Sequence, residues 1–105
     1  MLLLKPGVRV TGLRPEILLA VVAAERVFEE AHVDLMLTSC LEGKHSQGSL
    51  HYAGQAVDLR TRDVAAPDRT KLAARLRECL GGDYDVVLEI DHIHVEFQPK
   101  NPLAA

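Results

Sequence analysis

Two short stretches of the sequence place histidine and aspartate side chains where they could hold a metal ion. The first, "SLHYAGQAVD", carries His51 near its start and Asp58 at its end, and the second, "LEIDHIHVEF", carries His92 and His94. Imidazole nitrogens and carboxylate oxygens are good zinc ligands, and a hydrolytic zinc ion needs three protein ligands and one open position for water. The two stretches can act together only if rigid elements make them converge.

The second stretch predicts a β-hairpin, because "YDVVLE" and "HIHVEF" are separated only by Ile90 and Asp91. Side chains alternate along a strand, so His92 and His94 share one face. In a hairpin with a two-residue turn, Glu89 lies opposite His92 and points to the same side. A carboxylate beside two histidines could act as the general base for a metal-bound water. Asp91 lies in the turn and reaches the site only if the turn bends inward.

The rest of the sequence supplies the elements that position these residues. "PEILLAVVAAERVFEEA" and "APDRTKLAARLRECLGG" predict two helices, the first opening on Pro15 and the second ending at Gly81 and Gly82. "VDLMLTS" and "LHYAGQAVDLRT" predict strands on either side of the loop "CLEGKHSQGS", with Gly54 marking a bulge or a close backbone approach. We therefore expect an α+β fold, in which a small antiparallel sheet carries the zinc site and packs against two helices.

Composition limits the classes of function. A chain of 105 residues with 48% hydrophobic and 26% charged residues suits one domain, residues 1–105. A net charge of -3 offers no basic surface for nucleic acid. The apolar run Leu2–Leu4 is too short for a secretory signal, which needs about 7–15 apolar residues, or for a membrane span of about 20. We therefore expect synthesis in the cytoplasm and no membrane partner, whereas the oligomeric state stays open.

The two stretches also resemble a known family of zinc enzymes. "SLHYAGQAVD" follows the pattern S-x-H-x-x-G-x-A-x-D of the zinc D-Ala-D-Ala carboxypeptidases and phage endolysins (peptidase family M15), and "HIHVEF" is similar to that family's later His-x-His strand. The amino-terminal domain of hedgehog proteins looks like a relative with the same zinc arrangement. The resemblance covers about residues 15–99 and implies that His51, Asp58 and His94 bind Zn²⁺. It places His92 beside the metal, as a contact to the transition state or the substrate.

The resemblance implies a metallopeptidase that hydrolyses stem peptides of bacterial peptidoglycan, of the D,D-carboxypeptidase or L-alanyl-D-glutamate endopeptidase type. Two acids remain open as its general base, since the hairpin register favours Glu89 and family spacing favours Asp91. A phage-derived lysis enzyme of this kind would reach the cell wall after release from the cytoplasm or delivery. Two alternatives stay open: a non-catalytic zinc-containing binding module of the hedgehog type, and a bacterial peptidase that acts on recycled wall peptides.

One segment departs from the peptidase pattern. Family members commonly read T-S-G-Y-R-S before the metal motif, with an arginine that meets the substrate carboxylate, whereas this chain reads "TSCLEGKHS" with Glu42 at the arginine's place. Lys44, or else His45, is then the candidate anion contact, although a lysine offers a point charge instead of a bidentate fork. Ser49, which opens the first metal motif, is the other candidate for substrate binding.

Overall fold

The computed structural model describes residues 1–39 and 54–100, which form one five-stranded sheet and two helices. The strands are β1 (Leu2–Leu4), β2 (Leu35–Ser39), β3 (Ala56–Arg60), β4 (Tyr84–Leu88) and β5 (His92–Phe97), and the helices are α1 (Pro15–Glu30) and α2 (Ala66–Leu80). The α+β class predicted from the sequence is confirmed. Neither helix in the described residues is long and apolar enough to cross a membrane.

The strand order in the sheet is β1-β2-β3-β5-β4. The β2–β3, β3–β5 and β4–β5 pairs are antiparallel, as predicted, but β1 runs parallel to β2, with Leu2 opposite Leu35. The sheet is therefore mixed, and the sequence prediction missed its first strand. Three consecutive leucines show no alternation, and a parallel partner more than thirty residues away leaves no local signal.

One face of the sheet is covered by the helices. α1 buries residues at helical spacing, and Pro15 is tolerated because it stands in the first turn, where its missing N–H costs no hydrogen bond. The buried side chains that form this core are Ile17, Ala20, Val21, Ala24, Val27 and Phe28 of α1, Leu72, Ala73 and Leu76 of α2, and Leu35, Leu37, Val57, Leu59, Val86, Ile93 and Val95 of the sheet. Because side chains alternate along a strand, the residues between the buried strand positions lie on the opposite side, which we call the open face.

The hairpin has the predicted register. The Glu89 N–H donates to the His92 carbonyl at 2.8 Å, which leaves Ile90 and Asp91 as the turn. The Arg69 guanidinium of α2 donates to the Ile90 carbonyl at 3.0 Å, so the helix also holds the turn in place. The face that each β5 side chain takes is fixed by this register, since a slip of one residue would reverse it.

Gly54, just before β3, lies close to the backbone of Gly12, and the sequence predicted a bulge or a close backbone approach at this position. Its φ is +73°, and its carbonyl accepts a hydrogen bond from the Arg14 N–H at 2.9 Å. A Cβ added at this position would lie 2.5 Å from the Gly12 carbonyl oxygen. Only glycine fits here without a shift of the backbone, so this contact fixes where the chain enters β3.

Candidate functional site

Two of the predicted metal ligands meet on the open face. Asp58 of β3 and His94 of β5 are directly opposite each other in the antiparallel pair, and His94 Nδ1 lies 2.9 Å from Asp58 Oδ1. Their side chains are 16% and 21% exposed, so both are partly shielded but open to solvent. The alternation that buries Val57 and Ile93 against the helices is what turns these two side chains outward.

A third side chain, Glu96, belongs to this cluster and was not predicted from the sequence. Glu96 Oε1 lies 2.8 Å from His94 Nε2, and its side chain is 21% exposed. With the neutral ring's N–H on Nε2, His94 donates to Glu96 and turns the Nδ1 lone pair toward the Asp58 side. A carboxylate on the second nitrogen is the usual support of a metal-binding histidine. The available signal was its position two residues after His94, on the same strand face.

His92 lies next to the Asp58–His94 pair and forms a hydrogen bond with the turn residue Asp91. Its Nδ1 is 2.7 Å from Asp91 Oδ1, and its Nε2 is 3.7 Å from Asp58 Oδ1. The hydrogen bond with His92 is the main cause of a lowered pKa for Asp91, which is exposed. Among the described residues, Asp91 is therefore connected to the site by its hydrogen bond with His92, and its lowered pKa means that it binds a proton less readily.

Glu89 occupies its predicted backbone position at the exposed end of β4. Within residues 1–39 and 54–100, no hydrogen bond or ion pair joins its carboxylate to His92 or His94. The acids that do contact these histidines are Asp58, Asp91 and Glu96. A shared strand face is thus not sufficient to bring two side chains into contact.

The remaining predicted site residues lie in the segment 40–53, outside the described residues. These are His51 as a metal ligand and Lys44 and Ser49 as substrate contacts. Among the residues that the structure describes, no group of three or more histidine, cysteine, aspartate and glutamate side chains is arranged to hold a metal ion. The described part of the predicted ligand set is therefore the pair Asp58 and His94.

We expect His94 to titrate above its ordinary pKa of 6.5 in the metal-free protein. The hydrogen bond to Asp58 is the main cause of the raised pKa, burial opposes it, and the hydrogen bond to Glu96 adds to it. Because the folded pKa is raised, the stabilisation is fully present below the unfolded pKa and is lost as the pH rises through the folded pKa. NMR titration of the ring should show this, and Asp58→Asn should lower the pKa. A His94 pKa at or below that of a free histidine would contradict the arrangement.

Comparison with known protein families assigns the chain to a class of signalling domain. The model of the hedgehog amino-terminal signalling domain matches residues 13–96, most of the chain, and the chain belongs to this family. Among individual proteins it is similar to the Indian hedgehog B protein of Danio rerio, with 38% identity over 66 residues. That alignment covers 61% of this chain and 15% of the relative, so the chain spans a small part of that protein's length.

This membership overturns the predicted activity. The assignment to peptidase family M15 is wrong, and so are the zinc metallopeptidase activity, the phage lysis role and peptidoglycan stem peptides as partners, because the family that matches is a signalling domain. The predicted localisation, with synthesis in the cytoplasm and later action on the cell wall, is also wrong, since hedgehog proteins are secreted signalling molecules. The zinc prediction is supported only at the level of the family, since hedgehog amino-terminal domains bind zinc.

The physical reason for the error is that the two motifs predict metal ligands and carry no information on what a metal would be used for. A zinc ion needs the same histidines and aspartate whether it catalyses hydrolysis or stabilises a binding surface. Hydrolysis also needs groups that bind the substrate, and Glu42 stands where the peptidases have their substrate-binding arginine.

Proposed function

We propose that this chain is a non-catalytic, zinc-containing binding module of the hedgehog type, whose open face recognises a protein partner. The contact of Asp58 with His94 on that face is the observation that carries the proposal. Membership of a signalling family supports recognition as the task, because signalling requires binding and does not require turnover. We take residues 1–105 as one such domain, since one sheet joins β1 near the start to β5 near the end.

The zinc ion would be held by Asp58, His94 and His51. The donor set fits zinc, since Asp58 on β3 offers a carboxylate oxygen, His94 on the adjacent β5 offers an imidazole nitrogen, and His51 would add a second imidazole. Ser39 is the cross-strand neighbour of Asp58, and the segment that carries His51 starts directly after Ser39. β2 therefore ends beside the pair, and His51 lies in the sequence between β2 and β3, which supports His51 as the third ligand. Bound zinc would join β3, β5 and this segment and so contribute to the stability of the open face.

The metal part of the proposal is tested by elemental analysis and thermal unfolding of the whole chain. We expect one zinc per chain and a lower Tm after the metal is removed, because a ligand that binds only the folded state stabilises it. A chain that takes up no zinc and whose Tm does not respond to added zinc would refute the metal site.

The binding part of the proposal is tested by site-specific photo-crosslinking on cells. Val87 is the cross-strand neighbour of His94 and is 43% exposed, so a photoreactive residue there reports on the open face. The matched control is the same residue at Lys71, which is exposed on α2. We expect a zinc-dependent crosslink to a cell-surface protein from position 87 alone. Equal crosslinking from both positions, or none from position 87, would contradict recognition by the open face.

Glu96 gives a further prediction for the metal site. Glu96→Ala should lower zinc affinity by about 10–100-fold, the usual effect of removing the partner of a metal-binding histidine. Glu96→Gln should have a smaller effect, because its amide oxygen can still accept the hydrogen bond from His94 Nε2. Competition with a chromophoric chelator measures both affinities, and Glu29→Ala, on the exposed side of α1, is the control. Unchanged affinity in Glu96→Ala would show that Glu96 does not support His94.

A further inference from the structure

A polar cavity of about 200 Å³ lies beside the Asp58–His94 pair. Its lining residues are Lys5, Thr38, Arg60, Arg62, Asp91 and His92. Four of these form a row across adjacent strands, with Lys5 directly after β1, Thr38 in β2, Arg60 in β3 and His92 in β5. Arg60 is directly opposite His92, whose Nε2 is 3.7 Å from Asp58 Oδ1, so the cavity continues the open face.

The charges around this cavity are unbalanced. Lys5, Arg60 and Arg62 contribute three cations, whereas Asp91 is the single acid in the lining. The Asp91 carboxylate is already engaged by His92 at 2.7 Å. Within residues 1–39 and 54–100, none of the three cations forms an ion pair. Like charges held close together around a concave surface create a positive potential that attracts an anion.

We propose that this cavity binds one carboxylate group of a protein partner. The two arginines offer planar forks that match the geometry of a carboxylate, Lys5 adds a point charge, and the Thr38 hydroxyl adds a neutral donor. The assignment of this carboxylate to a protein partner rests on the proposed function as a binding module. The affinity of the cavity for a carboxylate is independent of that proposed function.

A single carboxylate fits this surface better than a polyanion. An extended anionic polymer needs a continuous basic track, but the net charge of the chain is -3, Asp58 lies next to the cavity residue His92, and Glu96 lies further along the same strand face. Repeated negative charges that run along the open face would meet these carboxylates. One acidic side chain or one chain terminus can enter the cavity without doing so.

The experiment is an NMR titration of the metal-free full chain with acetate at constant ionic strength. We expect saturable shifts of the Thr38 amide and of the Arg60 and Arg62 side-chain resonances, with a Kd in the millimolar range. The variant that combines Arg60→Gln and Arg62→Gln should bind acetate at least about tenfold more weakly. Lys71→Gln, which removes a charge from exposed α2, should bind like the parent. Without zinc present, acetate cannot bind to the metal, so this result is independent of the zinc site.

Several outcomes would overturn the proposal. Shifts that grow linearly with acetate, or that are equal in the parent and the double variant, would mean that the cavity has no carboxylate site. Saturable binding of heparin with a steep salt dependence, without acetate binding, would assign the cavity to a polyanion instead. Thr38→Val keeps all the charges and tests the same site if the double variant fails to fold, and it should weaken acetate binding by a smaller factor.

Discussion

His94→Ala is expected to lower the zinc affinity of this chain by about a hundred- to a thousandfold. Structural zinc sites of four ligands bind with about 10–16 kcal/mol, which is roughly 2.5–4 kcal/mol for each ligand, and 1.4 kcal/mol corresponds to a factor of ten. His94 has a further role, since it contacts both Asp58 and Glu96. Its removal would leave two carboxylates facing each other without the imidazole between them.

His92→Ala is the matched control, because it removes the same side chain from the same strand and face. His92 Nδ1 is engaged by Asp91, and Nε2 is 3.7 Å from Asp58, so its loss should change zinc affinity by less than about tenfold. Chelator competition gives both affinities, and circular dichroism shows whether each variant is folded. If His92→Ala lost as much affinity as His94→Ala, or if His94→Ala kept the parent's affinity, the ligand assignment would be wrong.

The fold was largely predictable where the signal was local. The helices follow from apolar spacing and the positions of Pro15 and Gly81, and the hairpin follows from two strand patterns around a two-residue turn. β1 was not predictable, because its pairing with β2 depends on contacts distant in sequence. Three residues are too few to show a period.

The contact between Asp58 and His94 was predictable from the sequence, whereas their role as metal ligands stays a prediction and the predicted function was wrong. Asp58 and His94 stood out because zinc restricts the residue types and their spacing, and the structure brings them together. Glu96 did not stand out, since its contact with His94 depends on side-chain conformations that no spacing reveals. Glu42 departs from the peptidase pattern, but this departure was interpreted only as a change in the substrate contact, whereas the hedgehog-type alternative fits the family to which the chain belongs. A ligand motif predicts a metal, whereas the residues around it decide what the metal is used for.

Gly54→Ala is expected to destabilise the domain by about 2–4 kcal/mol. A left-handed conformation costs a residue with a side chain about 1–2 kcal/mol, and loss of the hydrogen bond from the Arg14 N–H costs about 0.5–1.5 kcal/mol. The added Cβ would also lie 2.5 Å from the Gly12 oxygen, so the backbone must move. For a domain of this size, the Tm should fall by roughly 10–25 °C.

Gly7→Ala separates the two causes of this loss. Gly7 also has a positive φ, +92°, but a Cβ added there has nothing within 4 Å, so this variant carries backbone strain without a steric contact. We expect its loss of stability to be about half that of Gly54→Ala or less. Gly54 lies two residues before Ala56, the first residue of the strand that carries Asp58, so Gly54→Ala should also weaken zinc binding, whereas Gly7→Ala should not. Equal effects of the two substitutions on Tm and zinc affinity would show that the approach of Gly54 to Gly12 does not position the metal-binding strand.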